Sequence, residues 1–204
     1  MGSSLLIQFD GARKERDLIG RILLGYGEIE FTLLTVLGGV LNNNLTALRT
    51  MYQLRSEVNR LAVVEALATP HYQAAGLGGQ FKEGLDAANH CKTIRNQYAH
   101  ATWKRSPKGV LTFANLELPA KTKTPQATVV AHPITEALLQ KQWAYFEYTD
   151  HMLAWLNQQL VTKLGTGTAV KVISKPQRLS PPKLHSHGEA LVRLSLSVKT
   201  QHPQ

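Results

Sequence analysis

Cysteine is almost missing from this chain: Cys91 stands alone in 204 residues. That excludes an internal disulfide and leaves the fold to packing and hydrogen bonds. Acids are scarce as well, 14 Asp and Glu against 23 Lys and Arg, so the formal net charge is +9. Such a balance favours anionic partners over cationic ones. The stretch MGSSLLIQFD has no basic region before its short apolar run, and Leu6 stands where a myristoylation signal wants Ser or Thr. No targeting segment is predicted, and a reducing cytoplasm suits the lone thiol. The longest apolar run, from about Arg13 to Leu41, is interrupted by Arg21, Glu28 and Glu30. A buried helix therefore fits it better than a membrane span.

What is present is an apolar fraction of 43%, enough for one real core. The predicted fold class is mainly α: an up-and-down helical bundle over residues 1–164 with a small β-hairpin insertion at about 104–132. A flexible, basic, Pro-containing tail is expected over 165–204. In the first helix Leu18, Ile22, Ile29, Leu33, Val36 and Val40 recur at three- and four-residue steps. The Asn42-Asn43-Asn44 run breaks it. A second helix is expected from about Leu45 to Leu67, with Leu48, Leu54, Val58 and Leu61 inward and Arg49, Asn59 and Arg60 outward, ended by Thr69-Pro70. A third runs from near Gln80 to about Trp103. Val110–Ala114 and Thr128–Val130 alternate as hairpin strands should, and a last helix follows from Thr135 to Leu164. Its aromatic stripe of Trp143, Tyr145, Phe146, Tyr148 and Trp155 reads as core or interface.

Chemistry concentrates in the third helix. Phe81, Leu85, Ala88, Cys91, Ile94, Tyr98 and Ala99 share one broad apolar face on a 100° wheel, which makes Cys91 a small core residue and not a nucleophile. Arg95 falls in the middle of that face. A guanidinium keeps its proton and is costly to bury alone, so Arg95 demands an anionic partner. Glu30, set within the apolar arc of the first helix near Ile19, Leu34 and Leu37, is the best candidate. Asn96 and His100, at the i,i+4 spacing, share the polar margin. On an ideal helix Arg95 and His100 lie about 140° apart. One phosphate meets both only if Arg95 reaches around, the helix ends early, or a second subunit contributes.

The string RNQYAH, Arg95 to His100, resembles the signature of the HEPN family (higher eukaryote and prokaryote nucleotide-binding domains), Arg followed by four to six residues and His, here with Asn96 directly after the Arg. The helical pattern from about Arg13 to Trp103 is similar to the family's bundle. The resemblance implies a metal-independent endoribonuclease, needing no cofactor, that acts on RNA as a homodimer. His100 would move the 2′-hydroxyl or leaving-group proton, Arg95 would stabilise phosphate charge, and Asn96 would orient ribose or His. A toxin–antitoxin or phage-defence setting, with an antitoxin or defence partner, would suit an active member. A non-catalytic nucleotide- or RNA-binding module and a structural dimerisation protein stay open as alternatives.

Two basic regions extend this reading. Lys104, Arg105, Lys108, Lys121 and Lys123, against the single acid Glu117, give +4 around the hairpin and are candidate RNA contacts. Residues 165–204 hold six Lys or Arg and one acid, Glu189, or +5, which predicts salt-sensitive affinity for RNA or DNA. Within the tail Ala169–Ile173 and Val192–Val198 alternate like strands. His185-Ser186-His187 lacks a further clustered ligand, so a solvated loop is expected and no metal.

Overall fold

A computed structural model describes residues 9–106, 109–116, 126–165, 172–185 and 189–195. It is mainly helical, with five helices and an antiparallel sheet. The helices are α1 (Arg13–Leu41), α2 (Asn44–Tyr52), α3 (Glu57–Ala74), α4 (Gly78–Ala99) and α5 (Glu136–Leu164). The strands are β1 (Ala101–Arg105), β2 (Leu111–Asn115), β3 (Gln126–Pro133) and β4 (Glu189–Ser195), in the order β1-β2-β3-β4.

α1 is the axis of the molecule. By length and composition alone it could cross a membrane, yet half of its most apolar window is buried against the protein. Ile22, Ile29, Leu33, Val36 and Leu37 pack inward, and α1 contacts each of the other four helices. It stops where Asn42 enters the left-handed region at φ 48°, a conformation Asn tolerates. Asn43 then caps α2 by accepting a hydrogen bond from the Thr46 N–H at 2.9 Å. α5 begins after Thr135, where its start was predicted, and Thr135 caps it by accepting from the Leu138 N–H. It ends at left-handed Gly165. Its Tyr145, Phe146 and Tyr148 are core residues, with Trp143 and Trp155 partly buried against the core.

The middle of the chain departs from expectation. The single helix predicted over 45–67 is two, because Gln53–Ser56 interrupts it and resets the phase. Ala47, Met51, Val64, Ala68 and Tyr72 therefore face the core, while Leu48 and Val58 are exposed. Thr69-Pro70 does not end α3, which continues to Ala74. The proline removes one backbone donor, but the extra turn seats Tyr72 flat on Phe81, ring centroids 4.1 Å apart.

The third predicted helix ends at Ala99, not Trp103. Ala101-Thr102-Trp103 turns into β1 and pairs with β2, Trp103 opposite Phe113. The hairpin is accordingly part of a larger sheet: β2 meets β3 at Thr112↔Pro133 and Phe113↔His132, and β3 pairs along its length with β4 from the tail. Of the other tail strand, only Val172 and Ile173 are described, and neither is in a strand. Residues 172–185 are docked and not loose. Ile173 donates its N–H to Gln158 Oε1 at 2.6 Å, and Arg178 pairs with Glu83 at 2.9 Å.

Candidate active site

The end of α4 lies where helices and sheet meet. Ile94 and Tyr98 anchor it in the core, and Tyr98 contacts Trp103 and Phe113 in an aromatic cluster that the strands bring up against the last helical turn. His100 is the C-cap residue, at φ −113° and ψ 23°, and its side chain is exposed. The helix thus ends inside the RNQYAH string. The wheel separation of Arg95 and His100 no longer applies, since His100 has left the helix.

Arg95 is about three-quarters buried, with 28% of its side chain exposed, and its Nη1 lies 3.0 Å from Glu57 Oε1. The same nitrogen donates to Asn96 Oδ1 at 2.9 Å, and the guanidinium sits 6.0 Å above the Tyr26 ring. The expected partner is corrected here. Glu30 accepts instead from Arg60, Nη1 to Oε1 2.9 Å and to Oε2 3.2 Å, and Arg60 also donates from Nε to Leu54 O at 3.0 Å. The phase reset before α3 turns Arg60 inward and puts Glu57 in the first helical turn, where the helix dipole favours an acid. Tyr26 sits between these pairs. Burial, then the carboxylates of Glu30 and Glu57, push its phenol well above the usual range.

The candidate catalytic residues are thus brought together in part: Arg95 and Asn96 touch, and His100 follows at the chain's turn into β1. Lys104 and Arg105 are exposed on β1, with the Arg105 guanidinium lying over Gly11. Lys108, Lys121 and Lys123 lie outside the described residues. Cys91 is fully buried, 3.4 Å from Thr149 Oγ1, and burial pushes its thiol up to about 12. That is a core residue's chemistry, as expected.

Beside the motif lies an arrangement that composition concealed. Gln97 donates to His185 O at 3.3 Å and accepts from His185 N at 3.4 Å, gripping the backbone of the docked segment like a strand partner. The Gln142 side chain donates to Lys183 O at 3.2 Å, and His90 Nε2 lies 2.9 Å from Pro182 O. The His185 ring is half-buried, not a free loop side chain. It lies 5.0 Å from the Phe113 ring and 6.4 Å from that of His132, with Nε2 3.0 Å from Tyr98 Oη. Tyr98 donates its hydroxyl proton to Gln142 Oε1 at 2.6 Å, so the His185 Nε2–H is the donor to the phenol oxygen. Burial first, and His132 second, lower the His185 pKa to about 4. Ser186 and His187 lie outside the described residues. Among the described residues no three His, Cys, Asp or Glu side chains cluster as metal ligands.

Fold and site define a mainly helical protein whose motif helix passes directly into an antiparallel sheet. Compared with known proteins, the chain matches no family model, no curated protein and no solved structure.

Proposed function

We propose that this protein is a metal-independent endoribonuclease of HEPN type, built on an up-and-down helical bundle and working in the cytoplasm as a homodimer. His100 takes the proton of a ribose 2′-hydroxyl as its oxygen attacks the adjacent phosphorus, then returns a proton to the departing 5′-oxygen. The products are a 2′,3′-cyclic phosphate and a 5′-hydroxyl. Arg95 offers its planar fork of donors to the charge that develops on phosphate, and Asn96 orients that fork. Lys104 and Arg105, with Lys108, Lys121 and Lys123, guide the RNA strand. These steps draw acid–base work and charge stabilisation from side chains alone.

The observation that carries this reading is the end of α4 inside the motif: a hydrogen-bonded Arg95–Asn96 pair is followed by an exposed His100 released from helical geometry. The test is cleavage of a mixed RNA pool in excess EDTA by wild type, His100→Ala and Arg95→Lys, each checked for native helicity. His100→Ala should lose about 10² to 10⁴ in rate, and wild-type products should end in cyclic phosphate. Equal cleavage by His100→Ala would refute the assignment.

A second reading has its own support. Arg95 Nη1 is already engaged by Glu57 as well as Asn96, as a structural strut would be. A non-catalytic RNA-binding or dimerisation module would bind RNA, or only itself, and leave the pool uncut.

A further inference from the structure

Among the described residues one face of α1 is left largely open. Leu24 is 78% exposed and Phe31 57% exposed, and Gly20 and Gly27 continue the same line. Among the described residues no atom lies within 4 Å of where a Cβ on either glycine would stand. The four positions follow 4-3-4 spacing, within about 60° of arc on an ideal helix. This is the spacing of a coiled-coil seam. Glycine is a poor helix former, so two of them on an open face of an otherwise strong helix point to a close approach made outside the protomer.

We infer that this face is a homodimer seam, on which the α1 helices of two copies pack antiparallel about a two-fold axis. The complementarity is internal to the sequence. In antiparallel pairing Leu24 lies over Gly27 of the second copy and Phe31 over its Gly20, so each large side chain meets a gap. Arg21 and Glu28 lie on one flank of the seam, and the two-fold sets each Arg21 beside the other copy's Glu28. Among the described residues Arg21 makes an exposed i,i+4 pair with Asp17, at 3.0 Å, and approaches the Trp143 ring at 6.0 Å. No ion pair to Glu28 occurs among the described residues. A lipid surface or a different protein would need none of this self-matching. The seam lies on a face of α1 away from Tyr26 and Arg95, and the inference stands whether or not the chain cleaves RNA.

Sedimentation of the full chain tests it. Wild type should run as a dimer of the 22.6 kDa chain. Glu28→Arg and Arg21→Glu should each keep native helicity and weaken self-association at least about tenfold, because like charges then meet twice per dimer. Mixed one to one, the two variants should dimerise again, since the paired arginines of one chain then face the paired glutamates of the other. Leu24→Gln, at a position open in the protomer, should weaken the dimer without touching charge. A wild type that stays monomeric would overturn the inference, whether or not it binds vesicles or another protein. So would a dimer indifferent to these changes, or two variants that fail to rescue each other.

Discussion

A guanidinium that cannot release its proton needs an anion wherever it is partly buried, and Arg95 finds one at the start of α3. Because about a quarter of each partner's side chain reaches solvent, the pair is worth less than a sealed one. Removing either charge should cost about 1–2 kcal/mol, below the 3–5 typical of fully buried pairs. A double-mutant cycle in urea with Arg95→Gln and Glu57→Gln should return a coupling of at least about 0.5 kcal/mol. The same cycle with Glu30→Gln should give markedly less, since the Glu30 carboxylate belongs to Arg60. A larger Arg95–Glu30 coupling would show the pairing to be wrong. That Arg95 needs an acid was legible from its place on an apolar face. Which acid was not, because the choice depends on helix phase: the reset at Gln53–Ser56 rotates Arg60 inward and brings up Glu57. Ser56 followed by Glu57 does carry the composition of a helix start, and that was the available signal.

Among the elements, α1 and α5 were legible nearly to the residue, because a long amphipathic repeat bounded by Asn or by Thr and Gly encodes its own limits. The docked segment 172–185 was not. Its prolines read as linker, and the groups that order it belong to distant helices: Gln97 and His90 on α4, Gln142 and Gln158 on α5. Side chains here satisfy backbone groups that a ladder would satisfy elsewhere. β1 was missed for a similar reason, since Trp103 fits either the helix wheel or a strand until Phe113 pairs with it. The buried end of the docked segment makes it acid-sensitive. His185 titrates near 4 when docked and near 6.5 when unfolded, so between these values the unfolded chain binds more protons. Stability attributable to this group is complete above about pH 7 and is lost as pH falls through that window. With allowance for its partial exposure, the loss between pH 7.5 and 4.5 should be about 1–2 kcal/mol. His132 on β3 faces the same ring, so the comparison is with His185→Gln in chemical denaturation at both pH values. The variant should lose less stability than wild type over the interval. Equal losses would mean that His185 is already open to water.

For the whole molecule the dominant quantity is charge. A net +9, with +5 of it in residues 165–204, gives a positive field that favours polyanions whatever their sequence, and two copies joined along α1 would double it. Binding of this kind works by releasing counterions from phosphate. Affinity for a single-stranded RNA should therefore fall linearly in a plot of log affinity against log salt, and each lost phosphate contact should lower the slope by about 0.7. Lys104 is the informative position, exposed on β1 four residues past His100. If RNA runs across the end of α4, Lys104→Ala should reduce the slope by about that amount. His100→Ala, which removes no permanent charge, should leave it unchanged. A slope that Lys104→Ala does not alter would put the RNA path elsewhere. In that case the charge beyond residue 165 would hold the strand away from the motif, and any cleavage would have to come from RNA that reaches Arg95 and His100 by another route.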